Sequence, residues 1–289
     1  MMEKESELLE LFNAGFGKRK IFENANLWRW WSQCPAGQLR SHLIYENDIL
    51  VGHQGFQPML LKMNDNVADA VLSNNSVIHP DYRRRGLFTK LNMSGLESEN
   101  RPVIGMPNIN SYDAFIKMGY KVAWLHFMEK REFRIGKYSS HVVDEFDDRV
   151  DDVIIKESQH SNFMAVRNHK WLNWRYVARP TDTYRLFVYY NGAKLLGYAV
   201  AKHYENKTHI LDILANNPLA FDDLLLAVEE YARGTSLINL WVVGNCMYLQ
   251  ALERNGYKFT GDRQPLILHG ADFPTPINWW VCLGDNDVY

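Results

Sequence analysis

A chain of 289 residues, 46% of them hydrophobic, is long enough for one large domain or two modest ones and can fill real cores. Its formal charge of −2 gives no global electrostatic reason to expect a nucleic-acid partner. Cys34, Cys246 and Cys282 are odd in number and far apart, so neither a disulfide framework nor a zinc site is indicated. The start, Met1-Met2-Glu3-Lys4-Glu5, lacks the basic opening and apolar core of a signal peptide. No apolar run approaches the roughly 20 residues that span a bilayer. The expectation is a soluble, cytoplasmic protein with no membrane partner and no metal.

In chain order, residues 3–14 read as an opening helix with Leu8, Leu9, Leu11 and Phe12 on one side. Residues 20–33, holding Phe22, Leu27, Trp28, Trp30 and Trp31, read as a second helix. Strand character follows at 42–45 and 49–56 around the turn Glu46-Asn47-Asp48, and again near 67–79. Helix is expected at about 87–99, strand at 103–106, helix at 110–118 and strand at 121–127. This order predicts a mixed α/β fold, a central sheet flanked by helices. Residues 137–156 carry Asp144, Glu145, Asp147, Asp148, Asp151 and Asp152, which read as a solvated acidic linker because their spacing matches no calcium loop.

From about residue 160 the chain echoes itself. The segment from Trp30 to Pro35 lines up with Arg175 to Pro180, and 17 residues separate Pro35 from Gly52 and Pro180 from Gly197. Asn108 precedes Gly119-Tyr120 by 11 residues, and Asn245 precedes Gly256-Tyr257 by the same 11. Equal spacings at matching ends predict a diverged internal duplication. The expected units are 1–135, a linker at 136–159, and a second unit at 160–289. The second unit has Asn216-Asn217-Pro218 before its helix near 219–232, with no glycine or basic cluster to hold a phosphate.

The first unit has such a cluster. Val77-Ile78-His79-Pro80-Asp81-Tyr82 ends a strand, and Arg83-Arg84-Arg85-Gly86-Leu87-Phe88 leads into a helix. Open N–H groups at a helix start, together with the helix dipole, favour phosphate. Arginine offers a fork of donors that matches it. A solvated turn is the bland alternative. The segment resembles the pyrophosphate loop of the GCN5-related N-acetyltransferase (GNAT) superfamily, which reads Arg or Gln, two residues, Gly, one residue, then Gly or Ala; Phe88 departs from that last small residue. Downstream, Asn108, Ser111, Phe115 and Gly119-Tyr120 are similar to the family's second cofactor-side helix.

The resemblance implies an acyl-CoA N-acyltransferase fold, acetyl-CoA as cofactor, and transfer of an acetyl group to the amine of a small molecule or peptide. It implies cofactor contacts at Ile78, Arg83, Arg84, Arg85, Gly86, Leu87, Phe88, Thr89, Asn108 and Phe115. The family's usual proton donor, a tyrosine, falls at Phe115, which has no proton to give. Tyr112, one helical turn earlier, is the substitute candidate, with packing as its alternative. For a general base the candidates are Glu46, His53, His79 and Asp81. His53 is taken as the catalytic candidate against a satisfied core histidine. A catalytically silent acyl-CoA-binding or protein-interaction module of the same fold is the second reading. An aminoacyl-tRNA-using relative is the third, and the charge gives it little help. Oligomeric state is open.

Overall fold

The computed structural model describes residues 2–17 and 25–286. The chain opens with α1 (Met2–Phe16) and α2 (Ala25–Ser32). Residues 20–24 of the second expected helix, Phe22 among them, lie outside the described residues. Three antiparallel strands follow, β1 (Arg40–Glu46), β2 (Ile49–Met63) and β3 (Asn66–Ile78), joined by tight turns. Then come α3 (Leu87–Glu97), β4 (Val103–Gly105), α4 (Ile109–Lys117) and β5 (Lys121–Lys130). Leu87, Leu91 and Leu96 form the apolar side of α3 as their spacing requires, packing against Val51, Ile78 and Phe56 of the sheet.

After β6 (His141–Val143) come α5 (Arg149–Ser158), β7 (Phe163–Val166), α6 (His169–Tyr176), then β8 (Arg185–Asn191), β9 (Lys194–Tyr204) and β10 (Lys207–Ala215). It continues with α7 (Pro218–Tyr231), β11 (Leu237–Val242), α8 (Leu249–Arg254) and β12 (Lys258–His269). The stretch expected to be a solvated linker differs from that expectation. It supplies β6 and α5, and Phe146, Val150, Val153 and Ile154 enter the main core. Its carboxylates other than the buried Glu157 lie toward the surface while the apolar residues between them recur at helical spacing, so an acidic composition concealed an amphipathic helix.

All twelve strands belong to one sheet, in the order β1-β2-β3-β4-β12-β5-β11-β10-β9-β8-β6, with β7 on β2. The centre departs from a simple side-by-side arrangement of two units. β12, the last strand of the second half, lies between β4 and β5 of the first, while β5 reaches over to pair with β11. Each half therefore borrows a strand from the other. The halves are also joined away from the sheet. Trp30 of α2 stacks on Trp174 of α6 with ring centroids 4.5 Å apart. Each indole N–H donates to the other's backbone carbonyl, at 2.7 and 3.0 Å.

Candidate active site

β3 and β4 run parallel but pair only at Val71–Val103 and Leu72–Ile104. Beyond those residues they separate, and a cleft of about 650 Å³ opens between them. Its walls include Ser76, Val77 and Ile78 of β3, Gly15 and Phe16 of α1, and Asn108, Asn110 and Ser111 at the start of α4. At its mouth lie Arg83, Arg84, Gly86, Leu87 and Phe88. Just before the cleft the β2–β3 register slips, leaving Gln54 against Asn75 and Ser76. Asn75 sits at φ 49°, so this is a bulge that re-aims the end of β3.

The turn before α3 leaves the helix start without a side-chain cap. Gly86 caps the helix at φ 75°, gives it no side-chain hydrogen bond, and a Cβ there would meet no heavy atom within 4 Å. The first-turn N–H groups of α3 consequently remain open toward the cleft mouth. The three arginines divide their work. Arg83 donates to the carbonyls of Ile78 and Gly15, at 3.1 and 2.8 Å, tying α1 to the end of β3. Arg85 turns back to the Asp81 carbonyl and to Glu46, its guanidinium over the Tyr82 ring. Arg84, exposed at φ 63°, has no partner among the described residues.

No protein-family model matches the chain, and no curated protein does. Solved structures do. A GCN5-related N-acetyltransferase from Anabaena variabilis superposes with a TM-score of 0.72 at 14% identity, covering 93% of this chain and 70% of that one. A conserved protein of unknown function from Enterococcus faecalis gives 0.69 at 13% identity, over 92% and 70%. Saccharomyces cerevisiae N-myristoyltransferase gives 0.61 at 8% identity, over 95% and 82%. The chain has the GNAT fold.

Within that GNAT fold the residues expected at a cofactor divide into three groups. Ile78, Arg83, Arg84, Gly86, Leu87, Phe88 and Asn108 line the cleft. Arg85 faces away, and Thr89 is exposed on the first turn of α3. Phe115 lies beneath the surface, packed edge-on against Phe88, so the two bulky rings fill the space under the loop instead of blocking it. Asn108 caps α4, its Oδ1 accepting from the N–H groups of Asn110 and Ser111. Among the described residues the cleft lining holds no Asp, Glu or His.

The two catalytic candidates lie elsewhere. Tyr112 packs toward Trp124 of β5, with ring centroids 5.7 Å apart, and does not line the cleft. His53 is fully buried, between the edges of Phe12 and Trp28. Its Nδ1 is 2.9 Å from the Asn75 carbonyl, an acceptor only, so Nδ1 carries the proton and Nε2 accepts from the Ser41 hydroxyl. Burial pushes its pKa down to about 4. It holds the bulge and does not line the cleft. Among the other base candidates, His79 caps the short turn at Pro80–Tyr82 through its Nδ1, and Glu46 pairs with Arg85.

In this GNAT fold the second half also has two parallel strands that part. β10 and β11 pair only from Lys207 to His209, and a register slip at Leu211 mirrors the bulge of β3. Here the opening is filled from within the chain. Trp279 pairs with Cys246 beyond β11, Trp280 bridges to Met164, and Gly284 presses on β10 so closely that a Cβ would come within 2.9 Å of the Leu211 carbonyl. Arg167, fully buried, joins Asp212 of β10 to Asp285 of this filling segment. The helix start is closed as well, because the Asn217 side chain accepts from Ala220 N–H and Pro218 supplies no donor.

The sequence reading missed Asn74, Asn75 and the tryptophan pair across the halves. A signal for the bulge was present: Ser73-Asn74-Asn75-Ser76 is a polar run inside an otherwise apolar buried strand.

Proposed function

We propose that the protein is an acetyl-CoA-dependent N-acyltransferase acting on the amine of a small molecule or peptide. On this reading it is a duplicated GNAT unit in which residues 1–135 work and 160–289 bind no cofactor. The observation that carries the reading is the open start of α3 beside the unpartnered Arg84, at the mouth of the only unfilled opening of the two described. The residues fit the group: N–H donors and a guanidinium suit a pyrophosphate, and the cleft walls of Val77, Ile78, Leu87 and Phe88 suit a long, weakly polar arm. When bound, acetyl-CoA supplies an activated thioester. The chain orients it and shields the reaction from water. The amine nitrogen forms the new N–C bond as the C–S bond breaks, and the proton lost from nitrogen balances the one taken up by sulfur. No residue of the lining is assigned as general base, and water accepts the amine's proton. The lack of Asp, Glu and His among the described lining residues is the observation on the side of the second reading, an acyl-CoA-binding module without turnover.

Calorimetry with CoA tests the donor site. In Gly86→Asp the side chain enters open space, the left-handed backbone costs it about 1–2 kcal/mol, and a carboxylate is set against the pyrophosphate. Affinity should fall at least about tenfold, the equivalent of roughly 1.4 kcal/mol. Unchanged affinity in the folded variant overturns the assignment. Release of free thiol in the presence of an amine panel separates the enzyme from the silent module.

A further inference from the structure

A second, smaller space lies one bulge away from the cleft. It is lined by Gln57 and Met59 of β2, Leu72 and Asn74 of β3, Trp30 and Trp174 from the two halves, and Asp285 and Asn286. Its volume is about 40 Å³, room for roughly two or three waters. Asn74 is 4% exposed, and neither its Oδ1 nor its Nδ2 has a hydrogen-bond partner. The neighbouring Gln57 carboxamide, 5% exposed, meets only the weakly bonding Cys34 thiol among the described residues. A buried carboxamide left unpaired costs about 1–3 kcal/mol, so such a pair beside an open volume marks a place for a polar guest.

The charged groups in the wall are already engaged. Asp285 is bonded by Arg167 and by the Cys282 N–H, and Arg175 donates to the carbonyls of Gly284 and Asn286. The two carboxamides are the neutral polar groups of this wall. Asn74 and Ser76 lie on either side of the Asn75 bulge, Asn74 facing this chamber and Ser76 the cleft. Two residues of strand span about 7 Å, within reach of one group held in each space.

We propose that this chamber receives the acceptor, specifically the unbranched end of a primary aminoalkyl group, its nitrogen donating to Asn74 Oδ1. The inference rests on the cleft being the acyl-donor site. A neutral amide acceptor leaves the amine's lone pair free and, unlike a carboxylate, does not raise the amine's pKa. The volume, room for roughly two or three non-hydrogen atoms, suits a CH₂–NH₂ end better than one branched beside the nitrogen.

The test uses nitrogen-15-labelled full-length protein titrated with n-butylamine and, separately, sec-butylamine. The side-chain NH₂ signals of Asn74 and Gln57 should shift saturably with n-butylamine and at least tenfold more weakly with the branched isomer. Met59→Phe, which narrows the chamber with an apolar ring, should weaken the n-butylamine response by a similar factor. Absent shifts, or equal responses to both amines, overturn the proposal. So does a response untouched by Met59→Phe. CoA titrated into the same sample reads the backbone amides of 84–89. If those move and the carboxamides ignore amines, the donor site stands and the chamber falls. If the carboxamides respond and the loop ignores CoA, the reverse holds.

Discussion

Arg84 combines a left-handed backbone with a guanidinium that nothing among the described residues engages. That conformation costs a non-glycine residue about 1–2 kcal/mol, which glycine would relieve, while glycine's extra chain entropy takes back a similar amount. Arg84→Gly should therefore leave stability nearly unchanged and weaken CoA binding by roughly 10–100-fold, the loss of one charge-assisted bond worth about 1.5–3 kcal/mol. Thermal unfolding and calorimetry on the same sample check both halves of that statement. His53 makes a different kind of prediction. Its pKa of about 4 lies below the ordinary 6.5, because burial disfavours the imidazolium. The unfolded chain takes up the proton near 6.5 and the folded one resists until about 4, so stability is flat above that window and falls as pH drops through it. The slope is about 1.4 kcal/mol per pH unit for this residue. His209, also lowered to about 4, adds its own share. His53→Gln should flatten the decline between pH 6.5 and 4 in denaturant titrations, and an unaltered slope would remove the histidine from the account. At this scale the sequence revealed the Arg83–Phe88 loop, because an arginine run, a glycine and a helix start are local features. It could not place His53 or Tyr112, whose facing depends on α1, α2 and β5 folding over them.

The elements themselves were largely legible, since each rests on local periodicity. The hairpin around Glu46-Asn47-Asp48, α3 with its leucines, and α7 after Asn217-Pro218 all lie where spacing and caps put them. α5 was hidden by its acidic face. The stretch beyond β12 carries no regular period, and yet Trp279, Trp280, Val281, Cys282 and Leu283 are all buried. Their contribution lies in filling the second opening. Trp280 is 1% exposed and meets Tyr248 edge-on at 5.1 Å. Trp280→Ala should cost about 3–5 kcal/mol through the cavity left behind, with CoA affinity in the first half unchanged. A loss below 1 kcal/mol in equilibrium unfolding would mean that the segment merely lies over β10 and β11.

Across the whole molecule, no local pattern announces that β12 inserts between β4 and β5. The apolar alternation of a strand says which face is buried and nothing about which neighbour it meets. The halves looked like beads in series and prove to be interleaved, with the Trp30–Trp174 pair clasping them on one face of the sheet. Two units that share strands should lose structure together. Calorimetry should give one endotherm whose calorimetric and van't Hoff enthalpies agree, and two resolved transitions would contradict the interleaving. The same exchange orders events on the ribosome. When β5 has been made, residues 131–257 must still emerge before β12 can take its place beside β4. Until then the cleft's own sheet stands open along an edge, exposed to mispairing for the time that synthesis takes, about 6–25 s at 5–20 residues per second. A protein built this way completes the sheet of its first half only as its second is finished.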